Sequence, residues 1–72
     1  MYLRFTPDEF RAIWAVCRPL RLSSDFFPVF KYFLVESLAE TDAVLAKRVA
    51  HLGRRQVRLL FDYLRKRQRS AT

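Results

Sequence analysis

The 72 residues carry 14 Lys/Arg against 7 Asp/Glu and one His, a formal charge of +7 at pH 7, and 51% of them are apolar. A chain this short buries only about 60% of the surface its unfolded form exposes, which excludes two independent cores, while the apolar content excludes disorder. One Gly, three Pro and one Cys, without strand-length alternation, exclude a turn-rich β fold, an internal disulfide and a Cys-rich metal site.

What remains is an all-α fold: a compact bundle of four short helices over about 7–17, 25–40, 42–52 and 54–67, with residues 1–69 as one domain and 70–72 as a frayed tail. The first helix has the clearest start. Thr6-Pro7-Asp8-Glu9 fits a capping box, in which Thr6 accepts from the Glu9 amide and Glu9 reaches back to that of Thr6, with Pro7 at the first helical position. Phe5 and Phe10 fit a hydrophobic staple across that start. Phe10, Ile13, Trp14 and Cys17 then make one apolar stripe, which stops before Arg18-Pro19 because proline disfavours a helical residue ahead of it.

Leu20 to Ser24 read as a loop, and Ser24 or Asp25 is placed to cap the second helix, with Pro28 tolerated in its first turn. Phe26, Phe27, Phe30, Phe33, Leu34, Ser37 and Leu38 share one face of that helix. Val29, Tyr32, Val35 and Ala39 occupy the other, so the expectation is a central helix wrapped by its neighbours. Thr41 or Asp42 caps the third helix, whose stripe is Leu45, Val49 and Leu52, and Gly53 is placed for a left-handed C-terminal cap. Val57, Leu60, Phe61 and Leu64 form the buried stripe of the fourth.

Charge divides the chain unevenly. Residues 47–72 hold nine Lys/Arg against Asp62 alone, a formal +8, whereas residues 1–46 hold five against six acids, a formal −1. Such self-repulsion is relieved by an anionic partner, and nucleic acid, DNA ahead of RNA, is the expected one. The last two helices and the turn between them have a helix-turn-helix outline, without a motif diagnostic of any one DNA-binding family. In that arrangement Arg54, Arg55, Gln56 and Arg58 would face base edges, since Arg suits guanine and Gln suits adenine, while Lys47, Arg48, Arg65, Lys66, Arg67 and Arg69 would hold phosphates. Arg54 and Arg55 also oppose the positive end of their helix dipole, a penalty that a bound phosphate removes.

Other chemistries lack their residues. His51 has no Cys partner, Cys17 belongs to an apolar stripe, the carboxylate pairs Asp8/Glu9 and Glu36/Glu40 suit capping and an exposed face, and no Gly-rich phosphate loop is present. The expectation is a non-enzyme without cofactor, metal or small-molecule substrate. The most apolar stretch, Phe26 to Leu38, is far shorter than the roughly 20 residues a membrane span needs, and no signal peptide is evident. With a single Cys this favours a reducing, cytoplasmic setting. The alternative function is a protein-interaction or self-assembly adaptor, in which an acidic front and basic back meet around Val29, Tyr32, Val35, Glu36 and Glu40.

Overall fold

Four helices, α1 (Pro7–Cys17), α2 (Phe27–Ala39), α3 (Ala43–Ala50) and α4 (Arg54–Ala71), account for most of residues 3–71, which the computed structural model describes. No strand occurs among the described residues. The local signals act where they stand in the sequence. At the start of α1 the Glu9 amide donates to Thr6 Oγ1 at 3.1 Å and the Thr6 amide to Glu9 Oε1 at 2.8 Å, and the Phe5 and Phe10 rings meet edge to face at 5.5 Å. Capping box and staple are both formed, and α1 ends at Cys17. Arg18 keeps helical dihedrals and its amide donates to the Trp14 carbonyl at 2.7 Å, so the expected exclusion of a helical residue before Pro19 does not hold. The ladder stops because Pro19 has no amide hydrogen to continue it.

Two boundaries differ from expectation, the start of α2 and the turn at Gly53, while the cap of α3 is one of the two residues expected. A single 3-10 turn, Ser24–Phe26, precedes α2, and neither Ser24 nor Asp25 caps the helix: the Phe26 amide donates to the Ser23 carbonyl at 3.0 Å instead. At α3, Asp42 is the cap, accepting from the Leu45 amide at 3.0 Å, while the Thr41 hydroxyl turns back to the Leu38 carbonyl. Gly53 is not a left-handed cap, because no glycine has a positive φ. It opens α4, its carbonyl accepting from the Val57 amide at 3.0 Å and its own amide donating to Gln56 Oε1 at 3.3 Å. The end of α3 is closed from elsewhere. Lys31 Nζ, reaching across from α2, donates to the Leu52 carbonyl at 2.9 Å, and the His51 amide donates to that of Lys47 at 3.1 Å.

Helix α2 packs against α1, α3 and α4, which makes it the central helix. Phe30, Leu34 and Leu38 are fully buried along it, facing Ile13 and Cys17 from α1, Leu45 and Val49 from α3, and Val57, Leu60, Phe61 and Leu64 from α4. All four residues of the α4 stripe are therefore in the core. Wrapping is incomplete, however: Val29 and Tyr32 are exposed, and Phe33 is 38% exposed rather than buried. Phe33 keeps one ring contact, edge-on to Phe26 at 5.8 Å, because its place on the helix falls at the margin between core and solvent arcs. Phe61 is the junction of the aromatic core, meeting Phe30 at 4.9 Å and Phe27 at 5.1 Å.

The helical tail does not stop at Arg67. Helix α4 runs on to Ala71, about 27 Å for its 18 residues, close to the 30 Å long dimension of the molecule. Gln68 anchors this extension. Its Nε2 donates to the Cys17 carbonyl at 3.0 Å and the Leu20 carbonyl at 2.7 Å, closing the open C-terminal end of α1. The last helix thus runs past its expected end near 67; Thr72 lies outside the described residues.

Candidate nucleic-acid interface

A helix advances 100° per residue, so Arg54, Arg58, Arg65 and Arg69, spaced 4, 11 and 15 residues from the first, stand in one line along α4. That line flanks α2. The Arg58 guanidinium lies over the Phe27 ring at 4.8 Å, and that of Arg65 over the Phe61 ring at 5.6 Å. Arg55 and Lys66 follow one step outward on the same helix. Among the described residues Arg54, Arg55 and Lys66 have no ion pair, and Arg58 has one, with Asp62 at 3.5 Å. This pair is half exposed on both sides and of the i, i+4 kind, worth about 0.3 to 0.5 kcal/mol, so it holds Arg58 only weakly.

Concavities follow the line. Phe27, Arg54, Arg55, Arg58 and Leu59 surround an open groove of about 710 Å³; a neighbouring one of about 480 Å³ shares Phe27 and Arg54 and adds Pro28, Lys31, Tyr32 and Val57. Further along, Arg65, Gln68 and Arg69 border a third with Arg21, Leu22 and Ser23. Arg21 and Lys31, from the half of the chain with no net positive charge, thereby join the cationic edge. Sequence reasoning missed both. Lys31 is four residues after Phe27 and is the one basic residue of α2, a signal that was readable; Arg21 is in a loop whose course no local pattern fixes.

Several residues expected at the interface are elsewhere. Arg48 turns toward α1, where its guanidinium pairs with the Glu9 carboxylate, donates to the Arg4 carbonyl and covers the Phe5 ring at 5.1 Å. The hydrogen bond from Arg48, then that from the Thr6 backbone, holds the Glu9 carboxyl below the usual carboxylate range. Arg48 is thus a clamp on the α1 start, not a free cation. Arg67 occupies the α1 side of α4 as well, over the Trp14 ring at 4.9 Å and 3.4 Å from the Tyr63 hydroxyl, to which it donates. Gln56 spends its carbonyl oxygen on the Gly53 amide. Lys47 is exposed on α3. Helix α3 packs on α2 far more than on α4, so the pair lacks the mutual packing that would orient a recognition helix.

Cys17 is fully buried, and burial pushes its thiol up to about 12, the setting of an inert core thiol. No group of three or more His, Cys, Asp or Glu is placed to hold a metal among the described residues, and no helix there is long and apolar enough to cross a membrane. Comparison with protein-family models, curated proteins and solved structures finds no match to this chain.

Proposed function

We propose that this chain is a non-enzymatic nucleic-acid-binding module whose contact surface is the α2-flanking edge of α4. Arg54, Arg55, Arg58 and Arg65 hold phosphates, with Arg69, Lys66, Lys31 and Arg21 extending the same surface. The observation that supports this reading most is the line of arginines at i, i+4, i+11 and i+15, in which Arg54, Arg58 and Arg65 meet between them one weak carboxylate contact among the described residues. Arg54 and Arg55 oppose the dipole of α4 at a cost of about 0.3 to 1 kcal/mol each at low salt, which phosphate binding reverses. If about six phosphates are engaged, log affinity falls against log salt with a slope near −5 on duplex. Fluorescence anisotropy with labelled oligonucleotides from 50 to 200 mM salt measures it. An affinity independent of salt, or no binding at 100 μM protein in the low-salt buffer, removes the proposal.

A second reading draws on α2. Val29 is 52% and Tyr32 73% exposed, and Glu36 and Glu40 continue their face toward the acidic end of the helix, an arrangement suited to a basic protein partner or a second copy. Light scattering at low salt tests the self-assembly form of it. A monomer at high concentration rules that form out.

A further inference from the structure

Resting on that reading, we infer that the polynucleotide bound is single-stranded, with an unpaired base stacked in the groove between α2 and α4 while its flanking phosphates lie on the arginine rim. The groove joins two chemistries that a duplex cannot use together. Its rim is cationic, from Arg54, Arg55 and Arg58, but its walls include Phe27 and Leu59, and it continues to Tyr32 through the concavity that shares Phe27 and Arg54. A duplex offers phosphates and base edges and keeps its base faces covered. Only an unpaired strand brings phosphates and open π faces to the same place.

Two stacking platforms are available. Tyr32 is 73% exposed. The Arg58 guanidinium already lies over Phe27 at 4.8 Å with half of its side chain still accessible, so its outer plane is open to a base. Successive arginines at i, i+4 are about 6 Å apart along α4, which lets a flexible backbone follow the rim. The solvent-facing arc of α4 beside them, which a duplex groove would have to receive, carries Asp62 and the 39% exposed Leu59. An anion and an apolar side chain there suit a duplex poorly.

The test uses anisotropy at 50 mM salt with four 12-unit ligands: single-stranded DNA, single-stranded RNA, duplex DNA, and an abasic deoxyribose-phosphate strand of equal charge, beside polyglutamate of matched length. Either single strand, DNA or RNA, should bind at least tenfold tighter than the duplex, the abasic strand and polyglutamate. Tyr32→Leu, which keeps apolar bulk but removes the π face, should weaken single-strand binding about fivefold or more and leave both the salt slope and the melting temperature unchanged. Duplex or abasic strand bound as tightly as the single strands, or a silent Tyr32→Leu, overturns the stacking inference while the phosphate edge stands. Equal binding of polyglutamate overturns it in favour of acidic protein partners. Failure of every polynucleotide to bind overturns the proposed function itself.

Discussion

The two flanks of α4 carry the same residue types and use them differently. On the α1 side, Arg67 lies over Trp14 and Arg48 of α3 locks onto Glu9, the Arg4 carbonyl and Phe5, so that guanidinium groups bind the molecule to itself. On the α2 side, Arg54 and Arg55 meet no carboxylate among the described residues and Arg58 meets a single weak one. Net charge alone does not distinguish a clamp from a docking site. The difference lies in whether an acceptor reaches the cation: Glu9 does so because the capping box already fixes its carboxylate beside α3, whereas the acids of α2 gather toward the end away from Arg58.

The change that breaks both flanks together is Phe61→Ala. This ring is fully buried between Phe27 and Phe30 and under Arg65, and its loss costs about 3 to 5 kcal/mol. A domain of this size has about 4 to 11 kcal/mol in all, so denaturant melts should show a protein at or near unfolding. Alkaline pH loosens the core through Cys17. Burial pushes the Cys17 thiol from the ordinary 9.0 to about 12, so the unfolded chain releases this proton first; its contribution is whole below pH 9 and is lost as pH rises toward 12. Between those limits stability should fall more steeply than in Cys17→Ala, by about one proton or 1.4 kcal/mol per pH unit. In the native protein a thiol reagent at pH 8 should not react.

Gln68→Ala tests the closure of α1 by α4 at a point between the flanks. It leaves the Cys17 and Leu20 carbonyls without this donor and should cost about 1 to 3 kcal/mol in chemical denaturation. The comparison itself is sharpened by two matched substitutions. Arg48→Gln should lower the melting temperature and change polynucleotide affinity less than twofold. It should also flatten the acid limb of the stability curve: the Glu9 carboxyl is held low by Arg48, so its stabilisation is present above the unfolded carboxylate range and disappears as pH falls through the folded value. Arg54→Gln should do the reverse, weakening binding and reducing the salt slope by about one, while stability stays level or rises as the dipole penalty is removed. The smallest effect expected is from Gly53→Ser. A Cβ there meets nothing within 4 Å and φ is not positive, so a serine cap should stabilise α4 by a few tenths of a kcal/mol.

Elements governed by neighbours in the chain were legible in the residues alone. Thr6 and Glu9, Phe5 and Phe10, and the stripes Ile13/Cys17, Leu45/Val49 and Val57/Leu60/Phe61/Leu64 interact or align over three to seven positions, so spacing suffices to place them, and it places an all-α bundle around α2. The arginine line along α4 belongs to the same class, being a property of one helix. Tertiary structure decided everything that depends on which helix lies opposite. It set the exposure of Phe33, the release of Gly53 from a left-handed cap, the retention of α4 beyond Arg67 by Gln68, the recruitment of Arg21 and Lys31 to the cationic edge, and the withdrawal of Arg48 and Arg67 from it. Helical periodicity states which residues share a face, whereas long flexible side chains find partners across 20 to 50 positions, and those encounters exist only once the helices have packed.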